Sequence, residues 1–285
     1  MKKNLAVLFI LFGVLFNAQN LEKLSKEIND EGIALYRSEM ASWYGTDVFT
    51  ANYEKRENIG GYFSYIDNNV PKCIFFSKDQ KVIGTISFPT NYNPKDANLD
   101  LKERDFTPIE TEYFTIRQNA LKRIQNDTIF KVYKNTSLNL VPLIKNKVKK
   151  VYVLTGPSVS NVVVFGNDYL ITFDNKNEVK NVEKLHNSLI AQNINDEKVG
   201  KTISGAHTHI LENWLAITPT DICTLMLYQK FTEWGSYFTT SKKYTSIWNS
   251  NNNLAIMKTE DFKKMNENIK KGKEEEKEKN ENVKE

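Results

Sequence analysis

The feature that most constrains the fold is a series of short apolar segments separated by turn residues. Three of them lie within residues 59–89, where DNNVP and KDQ separate one segment from the next. A second set, from about residue 129 to residue 260, includes IFKVYK, LNLVPLI, KKVYVLTG, NVVVFGNDYLITFD and EVKNVEKLH. Short runs rich in Val, Ile and aromatic residues and bounded by Gly, Pro, Asn or Asp are typical of β-strands joined by tight turns. The sequence therefore predicts two β-rich regions.

Apolar residues at helical spacing indicate helices beside these strands. They recur from Leu21 to Trp43, from Pro108 to Asp127, and again after Thr218. The segment NYNPKDANLDLKERD between the β-rich regions is polar and lacks periodicity, which favours a surface loop and a domain boundary. We therefore predict an α+β protein, with a helix and a β-meander in residues 19–106 and a second domain in residues 107–260.

Both ends of the chain differ from this pattern. Two lysines precede the apolar run from Leu5 to Phe16, which is the plan of a secretory signal peptide, and the run is too short for a permanent membrane span. We expect cleavage after Ala18, no transmembrane anchor, and a periplasmic or extracellular protein. Residues 261–285 are rich in Lys and Glu and nearly without apolar residues, so they are predicted to form a charged, solvated or helical tail.

Composition and charge exclude some classes of function. The 285 residues, 40% of them hydrophobic, are enough for a globular core. Loss of Lys2 and Lys3 with the signal peptide lowers the formal charge from +4 to about +2. Without a basic stripe interleaved with aromatic residues, there is no electrostatic reason to expect nucleic-acid binding. Cys73 and Cys223 lie in apolar runs, and whether they pair stays open at this point.

The stretch SGAHTHILENWLAITPTDI holds two of the chain's three histidines. On a strand, His207 and His209 project from the same side, about 6.5–7 Å apart along the backbone, so that both imidazoles could bind one zinc-like ion. Thr218 is a good helix N-cap, Pro219 suits the first helical position, and Asp221 at the third position points back toward the strand end. Asp221 is therefore a candidate third ligand; alternatively, it only caps its helix.

This arrangement resembles the JAB/MPN metalloprotease superfamily, also called JAMM, in which two histidines one residue apart and an aspartate of a Ser-x-x-Asp motif bind zinc. The resemblance covers about residues 129–260 and implies a mixed β-sheet with flanking helices. It also implies His207, His209 and Asp221 as zinc ligands, and a catalytic role in oxyanion binding for Thr218. Ile210 replaces the family's proline, eight residues rather than seven separate His209 from Thr218, and threonine replaces serine.

The resemblance implies a secreted zinc-dependent hydrolase of peptide or isopeptide bonds, with a protein or peptide as its substrate. The strand KKVYVLTG lacks the family's glutamate base, and Glu178, Glu183 and Glu212 are the alternatives. His186 could be a fourth ligand that closes the site, or an unrelated surface or core histidine. The alternative function is a non-catalytic secreted binding module. Its candidate contact residues are Tyr36, Trp43, Tyr44, Tyr62, Phe63 and Tyr65.

Overall fold

The computed structural model describes residues 2–194 and 204–282, and the side chains of residues 19–194 and 204–276. It confirms the predicted α+β class. The helices are α1 (Lys2–Asn52), α2 (Pro108–Asn126), α3 (Pro219–Thr232) and α4 (Thr259–Asn282). The strands are β1 (Ile59–Asp67), β2 (Val70–Ser77), β3 (Val82–Ser87), β4 (Asn98–Asp100), β5 (Thr136–Lys145), β6 (Val148–Pro157), β7 (Val162–Gly166), β8 (Tyr169–Phe173), β9 (Val179–Lys184), β10 (Leu189–Asn193), β11 (Ser204–Thr208), β12 (Ser236–Thr240), β13 (Tyr244–Asn249) and β14 (Leu254–Lys258).

The chain divides into two compact units, each made of separate segments. The larger unit consists of Asp30–Thr202 and Thr218–Glu233. The smaller unit consists of Met1–Asn29, Ile203–Ile217 and Trp234–Glu285. The signal-peptide and domain boundaries given by the sequence stay predictions. Among the described helices, none is both long and apolar enough to cross a membrane.

The larger unit contains antiparallel sheets that are covered by helices. The first sheet has the order β1-β2-β3-β4, the second has the order β5-β6-β8-β9, and β7 pairs with β10. Helix α1 packs on the first sheet, where the ring of Phe49 stacks on that of Phe75 with centroids 3.9 Å apart. Helix α2 packs on the second sheet through Ile116 and Ala120. Apolar burial of this kind is the main term that holds helices on sheets.

The smaller unit is built on a mixed sheet of order β11-β12-β13-β14. Strand β11 runs parallel to β12, whereas the other neighbours are antiparallel. The middle of α1 is fixed to this sheet by side chains that donate to backbone carbonyls, Ser25 to Leu254 at 2.5 Å and Asn29 to Asn252 at 3.1 Å. The parallel pair matters for the site, because it places His207 on β11, and His209 directly after it, next to β12.

The structure differs from the sequence prediction at three places. IFKVYK was predicted as a strand, which is wrong: residues 130–133 are irregular and lie between two turns, with Phe130 packed on Tyr169 and Val132 71% exposed. Phe130 is buried but Val132 and Tyr133 are exposed, so the run lacks the alternating buried side chains of a strand in a sheet. Strand β10 was missed, and the predicted loop of residues 91–105 contains the short edge strand β4.

Other predicted residues have clear positions. Cys73 and Cys223 are both buried free thiols and do not form a disulfide with each other. Among the candidate contact residues of a binding module, Phe63 and Tyr65 belong to the core, whereas Trp43 is 49% exposed. Tyr36, Tyr44 and Tyr62 are partly buried and pack against the core, so Trp43 is the exposed member of the set.

Candidate metal centre

His207 and His209 lie at the end of β11 in the smaller unit. His207 is opposite Thr239 in the parallel pair, and the backbone N–H of His209 continues the pairing by donating to Thr240 at 2.8 Å. Their Nε2 atoms are 2.8 Å apart and their ring centroids 4.8 Å apart. The alternation of strand side chains predicted this common side. The strand predicted for this stretch, TISGAHTHI, begins with Thr202 and Ile203, which lie outside the described residues.

Each of these imidazoles is oriented by a partner at its Nδ1 atom. His209 Nδ1 lies 3.0 Å from the carbonyl oxygen of Trp214, and His207 Nδ1 lies 3.0 Å from the hydroxyl of Tyr237. Because a carbonyl oxygen only accepts, His209 donates its Nδ1–H there, and a neutral ring then presents the lone pair of Nε2. This is the pattern of metal-binding histidines, whose second nitrogen is held by a hydrogen bond that fixes the tautomer.

The loop after β11 supplies one of these partners. Trp214 N–H donates to Leu211 at 2.9 Å, and this turn brings the Trp214 carbonyl to His209. Ile217 N–H donates to the side chain of Ser246 on β13 at 3.1 Å, which fixes the end of the loop to the sheet. ILENWLAI is therefore held in place by the same sheet that carries the histidines.

Asp221 lies in the first turn of α3, in the larger unit, and its two carboxylate oxygens have different partners. Oδ2 accepts from both the backbone N–H and the hydroxyl of Thr218, each at 2.8 Å. The backbone N–H of Asp221 donates in return to Thr218 Oγ1 at 3.2 Å, which completes a capping box. Oδ1 lies instead 3.0 Å from His186 Nε2. Capping therefore does not exclude a ligand role for Asp221, because the cap uses Oδ2 and leaves Oδ1 facing His186.

His186 follows β9 and lies between two carboxylates of the larger unit. Its Nδ1 is 3.5 Å from Asp168 Oδ2, and its Nε2 faces Asp221. Asp168 Oδ1 accepts from the backbone N–H of Thr155 at 2.8 Å. His186 therefore has a carboxylate beside each ring nitrogen, and Asp168 is in the position of a partner that would orient the ring if Nε2 bound an ion.

Burial changes the acidity of these groups. It raises the pKa of Asp168 to about 6, although the charge of His186 and the hydrogen bond from Thr155 oppose the change. Burial lowers the pKa of His186, but the Asp221 and Asp168 carboxylates outweigh this effect and raise it. Such shifts are characteristic of buried clusters of ionisable groups, which are candidates for functional sites.

Four buried side chains, His186, His207, His209 and Asp221, make up a cluster that could hold a metal ion. Each offers one ligand atom, and these atoms lie within 4.8 Å of one another. All three histidines of the chain belong to this cluster. Three imidazole nitrogens and one carboxylate oxygen suit zinc (Zn²⁺) and also other transition metals. Two ligand atoms on a tetrahedral zinc ion are about 3.3 Å apart, so the 2.8 Å between the Nε2 atoms fits after a slight separation of the rings.

The predicted catalytic residues have definite positions too. The hydroxyl of Thr218, which is completely buried, is used in the capping box. None of the glutamates proposed as a base belongs to the cluster. Glu183 accepts from Asn181, and Glu212 pairs with Lys242. His186 is the residue that sequence reasoning undervalued, and its only signal was that it is the remaining histidine of a histidine-poor chain.

No protein-family model, no curated protein and no solved structure matches the chain. The chemistry of the four clustered side chains is therefore the basis for a proposed function.

Proposed function

We propose that this protein binds one zinc-like divalent ion through His186, His207, His209 and Asp221. The observation that carries the proposal is that every histidine of the chain and one aspartate are buried in a single cluster. Burying several ionisable groups together costs free energy unless they are paired or bind a metal. Four protein ligands are typical of a closed, structural zinc site, whereas catalytic sites keep a position for water.

The stoichiometry of binding tests this proposal. Protein stripped with a chelator and titrated with zinc should bind about one equivalent per chain, and it should unfold at a higher temperature with zinc than without. A folded chain that binds no zinc, manganese, iron or nickel with better than millimolar affinity would contradict it.

A second candidate function is the secreted hydrolase of peptide or isopeptide bonds. It is favoured by the order of His207, His209, Thr218 and Asp221 along the chain, together with their resemblance to the JAMM motif. A bound zinc ion would polarise the scissile carbonyl and acidify water, while this chain's Thr218 would donate to the oxyanion only by leaving the capping box. An open coordination position is required, which on this account means that His186 is displaced or serves another purpose.

Hydrolysis can be separated from metal binding by direct assay. An isopeptide-linked fluorogenic peptide and its linear counterpart should be cleaved by the zinc-loaded protein if the hydrolase candidate is correct. The His209→Ala variant should then lose this activity. Stoichiometric zinc without any cleavage of either substrate would favour the closed site and the non-catalytic binding module.

The Thr218→Ala substitution distinguishes the cap from the ligand role of Asp221. Removing the hydroxyl leaves Oδ1 of Asp221 in place but breaks the capping box, so we expect a loss of about 1 kcal/mol in the free energy of unfolding. Zinc affinity should fall by about 10–100-fold rather than be abolished, because Thr218 holds Asp221 Oδ2 but is not one of the four clustered residues. Urea unfolding and a zinc titration measure the two effects. Asp221→Asn is the contrasting variant, since it replaces the ligand carboxylate itself and should weaken zinc binding more.

A further inference from the structure

A separate cavity of about 590 Å³ lies within the larger unit. Its walls come from α1, from β1, β5, β6 and β7, and from α3. This volume falls within the range of about 300–1,000 Å³ that is usual for small-molecule sites. None of the four residues of the metal cluster lines it. A ligand in this cavity would therefore not depend on the proposed metal site.

Glu39 of α1 is the most unusual residue of this cavity. Its Oε2 accepts a hydrogen bond from the side-chain amide of Asn139 on β5, at 2.5 Å. Burial raises the pKa of Glu39 to about 7, and the hydrogen bond from Asn139 offsets only part of this effect. Among the residues that the structure describes, no positively charged group pairs with this carboxylate to stabilise its ionised form.

Aromatic side chains lie near this carboxylate. The hydroxyls of Tyr62 and Tyr228 have raised pKa values because of burial and, next, because of the negative charge of Glu39. The rings of Trp43 and Tyr228 are 6.4 Å apart and tilted by 57°. Trp43 lines the cavity although it is 49% exposed, which places an aromatic face where the cavity opens to solvent. The faces of such rings attract cations.

The charge of the lining decides the class of ligand. Glu39 and Asp47 contribute carboxylates, and among the described residues that line the cavity none is Lys, Arg or His. Arg117, whose guanidinium lies 5.9 Å from the centre of the Tyr62 ring, is not part of the lining. Anionic ligands are disfavoured by this charge, whereas a cation would supply the missing partner of Glu39.

We propose that this cavity binds a primary ammonium group, such as that of a small alkylamine or a lysine side chain. The ammonium group would pair with Glu39, and its alkyl chain would lie against Trp43 and Tyr228. An ammonium group has three donors, which suits the Glu39 carboxylate together with hydroxyls of the lining such as Thr46. Asn139 already holds Oε2, so the acid is oriented before the ligand enters.

The test uses n-butylammonium as the probe and 1-butanol as its neutral counterpart of the same length. In titrations of the full chain at constant ionic strength, followed by the indole N–H signal of Trp43 in NMR spectra, n-butylammonium should bind saturably. It should bind at least about tenfold more tightly than 1-butanol, because a desolvated charge-assisted pair is worth more than the apolar contact alone. Equal affinity for the two probes would overturn the proposal.

Variants locate the interaction. Glu39→Gln keeps the shape and the hydrogen bond to Asn139 but removes the charge, so binding should weaken at least about tenfold. Glu54→Gln, at an exposed position outside the cavity, is the matched control and should bind like the natural chain. Unchanged binding by a folded Glu39→Gln variant would overturn the proposal. So would saturable binding of a methyl glycoside at Trp43 with no binding of the ammonium probe.

Discussion

Replacing His209 with alanine is expected to reduce bound zinc from about one equivalent per chain to less than about a tenth, at micromolar concentrations of protein and metal. The substitution removes a ligand nitrogen whose orientation is fixed by the Trp214 carbonyl at 3.0 Å. Elemental analysis after dialysis measures the loss. The variant should also lack the stabilisation by zinc that the natural chain shows, because binding to the native state is what raises the unfolding temperature.

Asp168→Asn is the graded control for this experiment. Asp168 touches His186 at 3.5 Å but is not one of the four clustered ligand residues. Loss of such a partner usually weakens metal binding by about 10–100-fold rather than abolishing it. The expected order of zinc affinity is therefore natural chain, Asp168→Asn, His209→Ala. A His209→Ala variant that retains full zinc occupancy would show that the ion binds elsewhere.

Replacing Glu39 with glutamine is expected to stabilise the protein above neutral pH. The pKa of this carboxyl is raised from 4.5 to about 7 in the folded chain by burial. A carboxyl group whose pKa is higher in the folded chain contributes stability that is fully present below its pKa in the unfolded chain. This stability is lost as the pH rises through the pKa of the folded chain. The natural chain should therefore lose about 2 kcal/mol relative to the variant between about pH 5 and about pH 8.

Urea unfolding of both proteins at the two pH values measures this effect. The difference between the proteins isolates Glu39, because the other groups titrate alike in both. The charged or titratable groups around Glu39 are Asp47, Tyr62 and Tyr228 of the lining. Cys73 and Cys223 also interact electrostatically with Glu39. Their thiol and phenol pKa values are raised by burial, so they stay neutral in this range. A difference in stability that does not change with pH would contradict this account of Glu39.

Local patterns in the sequence were enough to predict much of the fold. Short runs rich in Val, Ile and aromatic residues, bounded by turn clusters, marked most strands, and Pro108 marked the start of α2 where the structure begins it. Strand β10 was missed because LIAQN carries little apolar alternation and is held by its pairing with β7. IFKVYK was misassigned because a single buried anchor, Phe130, resembles a strand in composition.

The site was predictable only where its geometry is local. The common side of His207 and His209 follows from strand alternation, and the position of Asp221 follows from helix capping. The place of His186 beside Asp221 depends on residues 35 positions apart in the sequence, so no local pattern carries it. The same holds for the Glu39 cavity, because Glu39 and its partner Asn139 are separated by 100 residues.

X-ray absorption spectroscopy of the zinc-loaded natural chain tests the central claim most directly. The account predicts one zinc ion with a first coordination shell of nitrogen and oxygen atoms at about 2.0–2.1 Å, three of them imidazole nitrogens, and no sulfur ligand. A spectrum showing a hydrated zinc ion with fewer than two imidazoles, or a sulfur ligand at about 2.3 Å from Cys73 or Cys223, would contradict it.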